Sequence, residues 1–272
     1  MIKLMLITNN PDLARKAIAC DVDRIFVDLE INGKWERQGH RDTLISGHSI
    51  DDVAKVRAAI PDSELLVRLN PLHENTPKEI DAAIDAGADI LMLPMFRDVR
   101  EVTEFVACVG GRARIIPLVE TVSAVNHFRS IVQLEEIDEI YIGFNDLHME
   151  MNMKFMFEPL ANGMMDKMAQ QARDAGVEFG FGGIARMNEG LLSGASVLSE
   201  HVRLGSRSVI LSRTFQRSGN TLGKSDSGHD FAAAIYELRE EEKKLRLRSD
   251  SEIEKDRLRF IEGVKSVIQT IQ

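Results

Sequence analysis

The chain predicts an α/β fold of the (β/α)8 barrel type, and three observations carry that prediction. Eight short apolar runs recur along the chain, at Lys3–Thr8, Arg24–Glu30, Glu64–Asn70, Asp89–Pro94, Ala113–Glu120, Glu139–Asn145, Glu178–Gly183 and Ser208–Arg213. They are apolar on both faces, as parallel strands covered by helices are. Between them stand amphipathic helical patterns, among them Pro11–Ala19, Ser49–Ala59, Pro77–Ala86, Val99–Val109, Thr121–Leu134, Gly163–Ala175 and Glu189–Leu204. Several end on Gly, as in "DAGAD", "CVGGR" and "RLGSR", where a left-handed residue closes a helix. Strict alternation of eight strands with helices fits a closed barrel better than an open doubly wound sheet. No Gly-x-Gly-x-x-Gly follows the first strand and no Walker loop occurs.

Length and composition agree. A chain of 272 residues holds one barrel of about 250 residues plus a tail. The reading is a barrel over residues 1–215, a Gly- and Ser-rich loop over 216–229, and two further helices over 230–272. The first of those is Asp230–Leu247; the second starts at Ser251, with Ser251 and Glu254 as its capping box. Ile261, Val264, Ile268 and Ile271 step by three and four, so one face of the last helix wants a partner. A barrel needs only one helix here. The other either folds back on its own barrel or packs across, or is exchanged between, the subunits of a homo-oligomer.

The net charge of −9 argues against nonspecific nucleic-acid binding and for small-molecule partners. Two cysteines, Cys20 and Cys108, both in helical patterns, exclude a disulfide scaffold and point to a reducing compartment. The N-terminal apolar stretch is too short for a signal peptide, and no run approaches the roughly 20 apolar residues of a membrane span. The expectation is a cytoplasmic protein without membrane contact.

Barrel chemistry gathers at the C-terminal ends of strands. Glu120 closes "ARIIPLVE" and Asp146 follows "EIYIGFN", on consecutive strands. A carboxylate there is poor for packing and good for a divalent cation, and no His-x-x-x-His or paired-Cys pattern offers zinc an alternative. The ordinary alternative is that each acid caps the following helix; two on adjacent strands favour Mg²⁺ or Mn²⁺. Arg68 closes "LLVR", where its planar fork suits a substrate carboxylate or a developing enolate oxygen. An ion pair with Asp28 or Glu30 on the neighbouring strand is the competing role, compatible with the first. Asp28 and Glu30 fall on one side by strand alternation and could hold metal-bound waters or orient Arg68.

The remaining strand ends contribute Asn70, Pro94, Gly143, Asn145 and Gly183 as substrate-binding candidates, with Gly182–Gly183 read equally as a tight turn. Arg213, closing the eighth strand, adds positive charge to the pocket. His40 and His48 lie in the long loop after the second strand and could carry protons near neutral pH, although solvent-exposed roles fit each at least as well. Trp35 in the same loop suits a lid or an interface.

"VDLE", "VRLNP", "LMLP", "PLVET" and "IGFNDL" occur in order, with the aspartate of the last 26 positions after Glu120. In this the chain resembles the HpcH/HpaI aldolase and citrate lyase β-subunit family, within the phosphoenolpyruvate/pyruvate barrel superfamily, over roughly residues 1–215. The resemblance implies a metal-dependent (class II) carbon–carbon lyase or aldolase, Mg²⁺ or Mn²⁺ on Glu120 and Asp146, and Arg68 on a 2-oxo acid or acyl group. The substrate partners implied are a 2-oxo acid with an aldehyde, or an acyl-CoA. The metal would chelate the carboxylate and 2-oxo oxygen of a pyruvate-like fragment, and Arg68 would help stabilise its enolate. Two alternatives accompany this reading. One is a condensation or thioester hydrolysis on the same enolate; the other is a non-catalytic oligomeric barrel that binds metal and 2-oxo acid. The pyruvate aldolases carry a histidine after their Asp-x-Glu segment, and here that position is Ile31. The acid/base role therefore falls to His40, His48 or a metal-bound water, and the catalytic candidates are Arg68, Asp28 and His48.

Overall fold

A computed structural model describes residues 1–33, 47–216 and 229–271. Eight parallel strands close into a barrel in sequence order, β1 pairing with β8. They are β1 (Lys3–Ile7), β2 (Arg24–Asp28), β3 (Glu64–Arg68), β4 (Ile90–Leu93), β5 (Arg114–Val119), β6 (Glu139–Ile142), β7 (Glu178–Ile184) and β8 (Ser208–Leu211). The helices that return the chain to the next strand are α1 (Pro11–Ala19), α2 (Ile50–Ala59), α3 (Thr76–Asp85), α4 (Val99–Val109) and α5 (Val122–Ile131). Then come α6 (Phe144–Glu150), α7 (Glu158–Ala161), α8 (Met164–Ala175), α9 (Gly194–Leu204), α10 (His229–Leu245) and α11 (Asp250–Thr270).

Strand alternation divides the apolar residues into two cores. Outward-facing residues such as Ile25, Val27, Leu65 and Val67 pack under the helices. Inward-facing ones, Met5, Phe26, Leu66, Ile90, Met92, Ile116, Leu118 and Tyr141, fill the middle of the barrel. Above and below that plug the inward positions are charged. At the lower end Arg24 is Cα partner to Glu64, and at the upper end Asp28 is Cα partner to Arg68.

Several boundaries differ from the sequence reading. β6 stops at Ile142, and Gly143 is the N-cap of a helix in which Asn145 and Asp146 form the first turn, so "GFND" continues as helix rather than strand. β8 stops at Leu211, and Arg213–Phe215 is a 3-10 turn capped by the Ser212 hydroxyl. α9 starts at Gly194, capped by Ser193, five residues later than the periodicity predicts. The cap of α11 is Ser249, whose hydroxyl and Glu252 form the capping box, not Ser251 with Glu254. Both pairs satisfy the same i,i+3 pattern, and periodicity alone does not choose between registers two residues apart.

The two C-terminal helices pack on the chain's own barrel. Arg239 of α10 donates to the Ile2 and Asp21 carbonyls and pairs with Asp23 at 2.6 Å. α11 buries Phe260 and Val264. Arg248, just before α11, donates to the Ser199 carbonyl of α9 at 3.1 Å, and Arg257 lies 3.5 Å from Asp166 of α8. Cys20 closes α1, Cys108 lies within α4, and both are free thiols. No described helix is long and apolar enough to cross a membrane.

Candidate active site

A cavity of about 500 Å³ opens at the C-terminal end of the barrel. Its floor is the upper side of the inner core, including Phe26, Met92 and Leu118. Its polar wall is built from strand ends: Asp28 and Arg68 from β2 and β3, Glu120 after β5, and Asp146 after β6, with Arg213 after β8. A wider groove of about 780 Å³ lies at the opposite end, lined in part by Arg57, Asp89 and Arg114. That groove lies away from the C-terminal strand ends where barrel chemistry gathers, and the smaller cavity lies at them, so the smaller cavity is the candidate site.

Glu120 is buried and accepts the Met95 amide at 3.1 Å on Oε1. The sequence offers capping of α5 as an alternative for it. That role belongs instead to Thr121, whose hydroxyl accepts from the Ala124 amide at 3.0 Å. Burial first, and the charge of Asp146 second, hold the Glu120 carboxyl well above the usual glutamate range. Gly143 permits this placement: a Cβ there would sit 2.9 Å from Glu120 Oε2 and 3.2 Å from its Cβ. Met95 adopts a left-handed conformation at φ 56°, uncommon for a residue with a side chain, and so turns its N–H onto the carboxylate.

Arg68 is pinned by Asp28. Its Nε and one terminal nitrogen donate to the two Asp28 oxygens, each at 2.8 Å, a bidentate fork. Glu30 lies 3.4 Å from the same guanidinium, and the group stands over the Phe26 ring. Burial lowers its affinity for the proton, but Asp28, then Glu30 and Glu120, raise it above the ordinary arginine value. The ion-pair role foreseen for Asp28 and Glu30 is thus present, and it orients the arginine at the cavity wall.

His48, half-buried, lines the same cavity. Its Nδ1 accepts the Asp28 amide at 3.0 Å, so the neutral ring carries its proton on Nε2. Gly143, Asn145 and Gly183 also line the cavity; Asn70 and Pro94 do not. The Asn70 carboxamide instead accepts the Ile31 and Asn32 amides, both at 2.9 Å, and donates to Glu79 at 2.8 Å, which fastens the loop after β2. His40 and Trp35 lie outside the described residues. Ile31 is exposed and lines no part of the cavity.

Sequence reasoning missed three contributors. The Met95 amide carries no sequence signal, because any residue supplies an N–H. Tyr141 had one, as a hydroxyl at an inward position between Glu139 and Gly143. Its oxygen donates to the Gly182 carbonyl at 2.6 Å and accepts the Ile210 amide at 3.0 Å, stitching an irregularity in the β7–β8 pairing. Burial pushes this phenol far up, so it stays protonated and serves structure. Phe144 reads as core, yet its ring forms part of the cavity wall.

The wall has three carboxylates, Asp28, Glu120 and Asp146, and Glu30 joins Asp28 in pairing with Arg68 without lining the cavity. Among the described residues no group of three or more His, Cys, Asp or Glu side chains could enclose a metal ion by itself. Glu120 and Asp146 form a two-carboxylate oxygen set whose mutual repulsion a hard cation would relieve, leaving other positions for water and substrate. The residues present therefore fit such an ion.

A barrel with acids and two arginines converging on its C-terminal mouth belongs, by fold and site, among barrels whose loops carry chemistry. The chain is a member of the HpcH/HpaI aldolase/citrate lyase family, which it matches over residues 2–180. It is similar to the crystal structure of an HpcH/HpaI aldolase from Desulfitobacterium hafniense DCB-2, with 17% identity, 78% of this chain and 86% of that one covered, and a TM-score of 0.60. An HpcH/HpaI aldolase/citrate lyase family protein from Burkholderia cenocepacia J2315 gives 17% identity, 79% and 90% coverage, and a TM-score of 0.62. Citrate synthase SbnG gives 15%, 77% and 85%, and 0.59. At these identities the likeness is one of fold. No curated protein matches the chain.

Proposed function

We propose that the protein is a divalent-metal-dependent lyase or aldolase that cleaves or forms a 2-oxo acid through a pyruvate-type enolate. The observation that carries this reading is the pairing of Glu120 with Asp146 beside a guanidinium already aimed by Asp28. Glu120 and Asp146 would hold Mg²⁺ or Mn²⁺. When bound, such an ion supplies Lewis acidity toward the carboxylate and 2-oxo oxygen of the substrate. Arg68 donates to the oxygen on which negative charge grows, in a water-poor pocket where a fixed donor is worth most. Its bond to Asp28 fixes the fork before substrate arrives, so little reorganisation is needed.

In the cleavage direction the 4-hydroxyl of a 4-hydroxy-2-oxo acid loses its proton to a base. The C3–C4 bond then breaks, the aldehyde departs, and the electron pair passes to the 2-oxo oxygen. A proton returned to C3 yields the 2-oxo acid. In the tautomer that the Asp28 N–H fixes, with Nε2 bearing hydrogen and Nδ1 occupied, His48 has no lone pair for that proton; it serves as a hydrogen-bond donor to a reacting oxygen, and a water in the cavity is our candidate for carrying the protons. Asp28 is then a positioning residue for both Arg68 and His48: its carboxylate holds one and its amide the other. Condensation is the same path run backwards.

The test is exchange of pyruvate methyl protons in deuterated buffer, followed by NMR. Exchange that requires Mg²⁺ or Mn²⁺ and disappears in Arg68→Ala supports enolate chemistry. No exchange by protein that binds the metal would overturn it and turn attention to an acyl thioester or to a barrel that binds without catalysing.

A further inference from the structure

The helix α6 that carries Asp146 is poorly equipped to place itself. It has seven residues, and its N-cap, Gly143, offers no side-chain hydrogen bond. A helix this short is not stable on its own, so packing must fix the position of its first turn. That turn holds Asp146 two residues after Phe144. Phe144 is buried and wedged between two aromatic groups. On the barrel side it meets Phe181 at a centroid distance of 5.4 Å, and on the outer side the edge of Phe157 at 6.2 Å. Phe157 in turn meets Phe260 of α11 at 6.5 Å, again edge to face.

α11 has its own anchorage, independent of the cavity. The Ser249–Glu252 box starts it, Arg248 and Arg257 tie it to α9 and α8, and Val264 is buried. Gly263 accommodates Leu192 of the β7–α9 loop, whose Cδ2 would lie 2.8 Å from a Cβ added there. The helix is therefore a fixed support reaching elements beside the catalytic mouth, although the barrel closes without it.

We propose that α11 is a strut for the acidic centre, and that Phe260 is a positioning residue which, through Phe157 and Phe144, sets the turn presenting Asp146 to a divalent cation. This rests on the metal reading given above. Trimming Phe260 leaves room behind Phe157 for the ladder to relax outward. The Asp146 carboxylate then shifts relative to Glu120, which is fixed separately by Met95 and Gly143.

The test is Mn²⁺ affinity, followed by the electron paramagnetic resonance signal of free Mn²⁺. The variants are Phe260→Ala and the milder Phe260→Leu. Phe105→Leu, in the buried face of α4, is the control for general loss of packing. Affinity falls about tenfold in Phe260→Ala, in the range of outer-shell substitutions at metal sites, and by a smaller factor in Phe260→Leu. Phe105→Leu loses thermal stability but keeps wild-type affinity. Wild-type affinity in Phe260→Leu would overturn the proposal even if Phe260→Ala fails to fold, as would an equal loss in Phe105→Leu. A wild-type protein that binds no Mn²⁺, or an Asp146→Asn variant that binds it normally, overturns the metal reading itself and this inference with it.

Discussion

The two ends of the barrel use the same pair of strands in opposite ways. At the lower end β2 supplies the cation and β3 the acid: Arg24 meets Glu64 at 2.9 Å and Glu139 at 3.0 Å, and Arg114 closes the set on Glu64 at 2.7 Å. The Ser208 hydroxyl donates at 2.7 Å to Glu139 Oε1, which also accepts from Arg24 at 3.2 Å. Two arginines face two glutamates, and the network is satisfied by protein alone. At the upper end β2 supplies the acid and β3 the cation, but Arg68 and Arg213 stand among four carboxylates, Asp28, Glu30, Glu120 and Asp146, and one of them, Glu120, resists ionisation. A balanced buried network is a structural plug. The acidic excess at the cavity mouth is where our proposal seats a cation, and without one it carries a cost in stability.

Substitutions can separate the two roles. The largest effect expected is at the top, where Glu120→Gln or Asp146→Asn abolishes Mn²⁺ binding and turnover, by isothermal titration and activity assay, while circular dichroism stays native. Normal turnover in Asp146→Asn would break the contrast. At the bottom, Arg24→Ala strands the buried Glu139 and costs about 3–5 kcal/mol in chemical denaturation. Metal affinity in the protein that remains folded should match wild type, because the inner apolar core lies between.

Next in size, Arg68→Ala retains Mn²⁺ and loses 2-oxo acid binding, read by titrating pyruvate into the Mn²⁺-loaded protein. Gly143→Ala should weaken Mn²⁺ by about tenfold, since the added methyl must displace the Glu120 carboxylate. The smallest effect concerns pH. Glu120 has its folded proton affinity raised above the unfolded value of about 4.5, so the stability it contributes is full below that value and is lost as pH rises through the folded one. Metal-free Glu120→Gln should therefore melt with wild type at low pH and above it as pH increases. A gap that closes with rising pH would contradict the assigned shift.

Much of this was legible in the chain because burial leaves a periodic record. The eight strands and most of the helices are where apolar runs and Gly stops place them, and α4 matches residue for residue. Glu120, Asp146, Arg68, Asp28 and His48 do line one cavity. Asn70 looked equivalent to them by its place at a strand end, yet its amide is spent on the neighbouring loop. Strand-end position alone does not say whether a side chain turns inward or back onto backbone. The lower network was missed although its signal was present: Arg24, Glu64 and Glu139 sit at inward positions of otherwise apolar strands, where only mutual pairing makes their burial tolerable.

The sequence by itself determined the barrel and the chemical types at its mouth. Alternation, run length and Gly placement act locally, and a carboxylate or guanidinium is the same group in any fold. The tertiary structure decided which groups meet. It gave the capping of α5 to Thr121 and left Glu120 to the cavity, and it turned the Met95 amide onto that carboxylate. It also brought the last helix back against Phe157 through Phe260, burying Val264 of its apolar face and leaving Ile271 exposed. Those outcomes depend on closure of the sheet and on contacts between residues far apart in the chain, which no local pattern encodes.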